Sequence, residues 1–303
     1  MNGSWTRDAF PLGLLCAALA IVLVSLLWVQ RAAAARADTQ GGVASHAIGR
    51  VAFYYGEHVP VDALHGFDTV VVEADSGFDP RAHAASGTHW FAYVSVGEVS
   101  PDRDYRRDMP DEWLIGTNTT WASTVIDQAA PGWPAFFAEH VIGPLWARGY
   151  RGFFLDTLDS YQLAARTDAA RARQQAGLIE VIRTAKARYP GIRFIFNRGF
   201  EILPQVHDAV DAVAFESLFG EWDQANQRYD EVSKNDREWL LAQAETIRDR
   251  YHLPVISIDY CEPGDDAAAR SIVERISAIG ITPYVTDGAL RSVGLGPEFA
   301  AQR

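Results

Sequence analysis

Apolar and polar residues fall into two regimes along this chain. Residues 11–29, PLGLLCAALAIVLVSLLWV, are apolar almost without a break. Beyond Arg50, short apolar runs rich in Val, Ile, Phe and Tyr recur instead: 51–55, 69–73, 91–96, 152–156, 193–197, 212–216, 255–259 and 282–286. These runs are continuous rather than alternating, which is the pattern of strands covered on both faces in a parallel sheet. Helical patterns lie between several of them. Residues 168–189 are the clearest, with Leu178, Ile179, Ile182 and Ala185 on one face and Pro190-Gly191 as the stop. Residues 235–251 and 265–279 are two more, and 134–148 a fourth, bent or broken at Pro144.

Eight strands with crossover helices predict an α/β chain built as a single (β/α)₈ TIM barrel over residues 50–303. The competing arrangement is an open doubly wound sheet. It usually carries a glycine-rich turn after its first strand, and here that strand runs into Tyr54-Tyr55-Gly56-Glu57-His58. The stretch 97–150 reads as an insertion after the third strand, ordered by Trp113, Trp121 and Trp133.

The apolar run changes the expected location. Arg7 precedes it, and residues 1–37 have the layout of a secretory signal or an uncleaved anchor in the inner membrane. Ala35-Arg36-Ala37 offers cleavage before Asp38, whereas the length of the run suits a membrane span, and both remain open. Residues 38–49 are small and polar, a linker. The expectation is export, to the periplasm or beyond.

Charge and cysteine usage remove several classes. Lys and Arg total 27 against 39 Asp and Glu, a net charge of −12 over 303 residues. A general nucleic-acid binder needs a basic patch instead. Cys16 and Cys261 are the two cysteines, so there is no disulfide framework and no cysteine-rich zinc site. The eight histidines form no H-x-H or H-E-x-x-H, and no metal or other cofactor is expected. The G-x-S-x-G elbow of a serine hydrolase is missing.

Barrel enzymes place their chemistry at the C-terminal ends of the strands. These ends offer Tyr54 and Tyr55; Glu73 and Asp75; Glu98 just past the third; Asp156 with Asp159; Asn197 with Arg198; Glu216; Asp259 with Tyr260; and Thr286 with Asp287. Each alone has an ordinary reading, Asp159 as a helix cap or Glu73 as a solvated loop residue. Together they make a carboxylate-rich face, the equipment of a glycoside hydrolase: one carboxyl protonates the leaving oxygen and another attacks the anomeric carbon or activates water. Tyr54, Tyr55, Tyr93, Trp113, Trp121, Phe219, Trp222 and Tyr260 are candidate platforms for sugar rings, or simply packing. Trp222 stands out on the polar loop after Glu216.

Four ordered motifs then carry a resemblance. Tyr93-Val94-Ser95-Val96-Gly97-Glu98 resembles the Y-x-S-V-G-E signature of glycoside hydrolase family 114 and its relatives, and Gly152 through Ser160 resembles their G-x-x-L-D-x-x-D strand end. Phe196-Asn197-Arg198-Gly199 and Ala214-Phe215-Glu216-Ser217 follow in the family's order. The likeness runs from Val51 to about Pro297. It implies an exported endo-α-1,4-polygalactosaminidase acting on galactosamine or N-acetylgalactosamine polymer of a biofilm exopolysaccharide. It also implies Asp156 as nucleophile and Glu216 as general acid/base. Arg198 or Tyr54 is expected to hold Asp156 ionised. Tyr54, Glu73, Tyr93, Glu98, Asp159, Asn197, Arg198, Trp222, Asp259 and Tyr260 are expected to bind the polymer. No deacetylase domain is expected after Arg303. A non-catalytic polysaccharide-binding protein that assists assembly or export is the alternative. A metal-dependent deacetylase is disfavoured by the missing histidine motif.

Overall fold

The computed structural model describes residues 48–296, which belong to one compact unit. The predicted signal or anchor at 1–37 and nearly all of the 38–49 linker lie outside the described residues. Among the described residues, no helix is long and apolar enough to cross a membrane.

The chain opens with β1 (Val51–Tyr54), β2 (Thr69–Glu73) and β3 (His89–Ser95). The insertion follows and holds β4 (Glu98–Val99), β5 (Leu114–Asn118) and β6 (Ser123–Ile126), a small antiparallel sheet in the order β4-β6-β5. Next come β7 (Gly152–Asp156), β8 (Arg193–Asn197) and β9 (Ala212–Glu216). A hairpin of β10 (Gly220–Asp223) and β11 (Arg228–Glu231) precedes β12 (Val255–Tyr260) and β13 (Thr282–Thr286). Eight parallel strands form the main sheet in the order β1-β2-β3-β7-β8-β9-β12-β13, so all eight apolar runs are its strands. The sheet curls until β13 meets β1: Tyr284 Oη donates to the Phe53 carbonyl at 3.0 Å, and the Tyr55 N–H donates to the Leu290 carbonyl at 2.7 Å. The fold is a (β/α)₈ barrel.

The predicted helices form at Asp168–Arg188, Lys234–Tyr251 and Asp266–Ala278. Their starts are set by Thr167, Ser233 and Asp265, whose side chains accept from the backbone N–H groups of Ala170, Asp236 and Ala268. The first buries Val181 as well as Leu178, Ile182 and Ala185, while Ile179 is only half-buried. The fourth does not break at Pro144. It passes through a π-helical stretch, Phe137–Ile142, where the Gly143 N–H reaches back to the Ala138 carbonyl. Proline supplies no N–H to the helical ladder, and the wider turn absorbs the offset.

Successive side chains of a strand face opposite ways, and parallel neighbours in register face the same way. Phe53, Phe154 and Tyr284 point inward and fill the barrel, with ring centroids 5.1 Å (Phe53–Phe154) and 5.7 Å (Phe53–Tyr284) apart. This packed layer is the floor beneath the strand ends.

Candidate active site

The same alternation decides which strand-end residues reach the mouth of the barrel. Two residues above Phe154 stands Asp156, and Tyr93 on β3, Asn197 on β8, Glu216 on β9 and Tyr260 on β12 share its inward facing. They form one hydrogen-bonded array. Tyr93 Oη donates to Asp156 Oδ2 at 2.6 Å, and Tyr260 Oη donates to Glu216 Oε2 at 2.5 Å. Between them, a single Asn197 Nδ2 donates to Asp156 Oδ1 at 2.8 Å and to Glu216 Oε1 at 3.2 Å. Two acceptors on one nitrogen at those distances lie no further apart than about 6 Å. Each of the four carboxylate oxygens thus has a side-chain donor.

Burial pushes the Glu216 carboxyl above the usual range and the negative Asp156 adds to this, while the donors Tyr260 and Asn197 and the nearby Arg198 pull it partly back. The hydroxyls of Tyr55, Tyr93 and Tyr260 are pushed well above their ordinary range, first by burial and then by the carboxylates around them. They therefore remain neutral donors.

Backbone geometry at the strand ends is unusual. Thr157 and Arg198, which follow Asp156 and Asn197, both hold positive φ, 62° and 61°. Such conformations cost energy for non-glycine residues and cluster at functional sites. Thr157 is held by its Oγ1, which accepts from the Gly97 N–H at 2.8 Å and lies 2.7 Å from Ser95 Oγ. Gly97 is tolerated here because a Cβ would sit 2.0 Å from the Thr157 carbonyl oxygen. The first two sequence motifs are therefore the two sides of one contact.

Several predicted positions are placed differently. Tyr54 faces away from the barrel interior and packs over Gly56; it is Tyr55, one residue on, that shares the facing of Phe53. Its ring centroid lies 5.0 Å from that of Tyr93. Asp259 also faces outward and is fully buried. It accepts from the backbone N–H groups of Leu218, Phe219 and Gly220 and from Ser257 Oγ, so it holds the loop after Glu216 rather than the mouth. Glu98 is buried beneath the insertion and accepts from Asn118, Ser123 and Ser160, which ties the β5–β6 hairpin to the loop after β7. Both carboxylates act as structural acceptors away from the inward array. Arg198 donates to the Glu216 carbonyl at 2.8 Å, so Tyr93 and Asn197, not Arg198 or Tyr54, are the donors to Asp156.

Glu73 faces inward and accepts from Arg103 at 2.7 Å, and the same guanidinium reaches Asp75 at 2.6 Å. Asp159 does not cap the turn that follows it; burial raises its carboxyl above the usual range, opposed by Arg198. Trp222 stands on β10, its ring 4.7 Å from that of Tyr229 and pressed on Gly288, where a Cβ would come within 2.3 Å of it. Its Nε1 donates to Gln224, so one face and the ring edge are already engaged. Trp121 is exposed on the β5–β6 turn. Among the described residues, no three His, Cys, Asp or Glu side chains converge as a metal site.

The model of glycoside-hydrolase family GH114 matches residues 31–299 of this chain. The chain belongs to this family. It is a GH114 glycosidase, and the alternative of a non-catalytic binding protein gives way. The glycoside hydrolase domain of PelA from Pseudomonas aeruginosa is 36% identical and superposes with a TM-score of 0.74, covering 82% of this chain and 98% of that one. Ega3 of Aspergillus fumigatus, solved in complex with galactosamine, shares the fold with a TM-score of 0.61 at 12% identity, over 83% of this chain and 96% of that one. A protein of Deinococcus radiodurans is 28% identical over 258 residues, 78% of each chain.

Proposed function

We propose that this GH114 chain is an exported, retaining endo-glycosidase that cuts a galactosamine-containing polymer, with Asp156 as nucleophile and Glu216 as acid and base. The observation that carries the reading is the shared Asn197 amide. Retaining glycosidases hold their two carboxyl groups about 5–5.5 Å apart, whereas inverting ones need about 6.5–9.5 Å to admit a water. A bridge through one nitrogen, limiting the nearest oxygens to about 6 Å, favours the shorter class.

In the first step, Asp156 attacks the anomeric carbon and the glycosidic bond breaks. Glu216, whose carboxyl burial pushes above its usual range, gives its proton to the leaving oxygen. In the second step, Glu216 takes a proton from water, whose oxygen displaces Asp156 and frees the sugar. Tyr93 and Asn197 stabilise Asp156 as a carboxylate when it leaves.

The substrate class rests on charge as well as on resemblance. Glu73, Asp75, Asp156, Asp159 and Glu216 gather at one mouth, with Arg103 and Arg198 beside them. The ammonium groups of a galactosamine polymer would be drawn to such a mouth and an anionic polysaccharide repelled. Export rests on the apolar run at 11–29. The test is to incubate the protein with partly deacetylated α-1,4-N-acetylgalactosamine polymer and follow released oligomers by mass spectrometry. Asp156→Asn and Glu216→Gln, which keep shape and remove charge, are each expected to lower turnover by at least about a hundredfold with unchanged melting temperature. Near-wild-type turnover by either variant would show that residue's role to be wrong.

A further inference from the structure

The mouth of the barrel contains three inward tyrosines, and two of them are committed. Tyr93 donates to Asp156, and Tyr260 to Glu216. Asn197 fills the remaining oxygen of each carboxylate. The pair therefore already has a side-chain donor for every oxygen, without any help from the third tyrosine, Tyr55.

Tyr55 is nonetheless fixed in place. It continues the inward facing of Phe53 beyond the end of β1. Its backbone N–H is tied to the Leu290 carbonyl at 2.7 Å, where the barrel closes. Its ring rests on Tyr93, with 5.0 Å between centroids and planes tilted by 56°. The electrostatic influence of Asp156, Glu216 and Glu73 reaches its hydroxyl. Yet the hydroxyl makes no hydrogen bond among the described residues, whereas the hydroxyls of Tyr93 and Tyr260 both do. Half-buried Tyr55 is thus held by its backbone and its ring, while its hydroxyl is left without a protein partner.

We propose that Tyr55 is a substrate-contacting residue, whose hydroxyl hydrogen-bonds the sugar that Asp156 attacks. The inference rests on the glycosidase reading above. It adds a contact to the sugar on the non-leaving side, which strengthens as that ring reorganises in the transition state and so acts on turnover.

The test compares wild type with Tyr55→Phe, which keeps the ring packed on Tyr93 and deletes only the hydroxyl. Tyr54→Phe, on the outward face, is the control. Two substrates are used: the polymer, and an aryl α-galactosaminide whose leaving group departs without protonation. Tyr55→Phe is expected to lower kcat/KM by about tenfold to a hundredfold on both, the usual loss for a hydrogen bond to a sugar in a closed site. Melting temperature and the Tyr54→Phe variant should match wild type. A loss on the polymer that vanishes on the aryl substrate would overturn the proposal, because the hydroxyl would then be serving Glu216. Activity within twofold of wild type on both substrates would overturn it too. A fall in melting temperature that accounts for the loss, with the remaining folded enzyme fully active, would equally refute it. If wild-type protein cleaves neither substrate, the glycosidase reading itself fails. Active wild type with an unaffected Tyr55→Phe removes this inference alone.

Discussion

Gly97→Ala tests whether the contact between the first two motifs organises the active site. The added Cβ would stand 2.0 Å from the Thr157 carbonyl oxygen, 3.1 Å from its carbonyl carbon and 3.3 Å from its Oγ1. A carbon and an oxygen not bonded to each other need well over 3 Å, so the two backbones must part by roughly 1 Å. No flexible side chain can absorb this, because the nearest atom belongs to the backbone. Parting them strains the Gly97 N–H bond to Thr157 Oγ1 at 2.8 Å and the Val96 N–H bond to the Asp156 carbonyl at 3.0 Å. Overpacking costs about 1–3 kcal/mol, and each weakened hydrogen bond about 1 kcal/mol more. The expected loss is about 3 kcal/mol, a fall in melting temperature of about 6–12 °C for a domain of this size. Because Thr157 directly follows Asp156, turnover of the folded variant should also fall. Thermal and urea denaturation of the full chain, with polymer cleavage assayed well below the transition, measure both. Gly66 has open space around its would-be Cβ, so Gly66→Ala serves as the control, with stability within about 0.5 kcal/mol of wild type. Wild-type stability in Gly97→Ala would refute the reasoning, since a clash with backbone leaves no inexpensive adjustment.

Two further outcomes follow from the hydrogen-bonded array and the loop behind it. The Tyr260 O–H bond favours ionised Glu216, so Tyr260→Phe should raise the Glu216 pKa further and move the alkaline limb of kcat/KM to higher pH; a limb that moved to lower pH would contradict this sign. Asp259→Ala leaves the N–H groups of Leu218, Phe219 and Gly220 without their buried acceptor, which should cost about 3 kcal/mol or more in urea denaturation, whereas an outward Asp259 predicts no change in substrate specificity.

The sequence by itself determined the barrel. Runs such as 152–156 and 212–216 are apolar at every position before the terminal carboxylate, and a strand covered on both faces has no polar position to spare. The helical stretches 168–189, 235–251 and 265–279 were also legible from their patterns, while the caps Thr167, Ser233 and Asp265 that start them came from the structure. Asp156 and Glu216 were visible as the polar ends of their strands. What the tertiary structure decided was facing and partnership. Tyr54 and Tyr55 are chemically identical neighbours, and only the inward packing of Phe53 against Phe154 and Tyr284 settles which reaches the mouth. Alternation from a known inward residue would have identified Tyr55, but continuous apolar runs hide which face is which. Asp259 and Glu98 read like mouth carboxylates because their acceptors are filled by groups distant in sequence, backbone N–H groups 39–41 residues away for Asp259 and Ser160, 62 residues away, for Glu98. The bridge from one asparagine amide to both carboxylates required three strands in register, and no spacing along the chain encodes an angle between them.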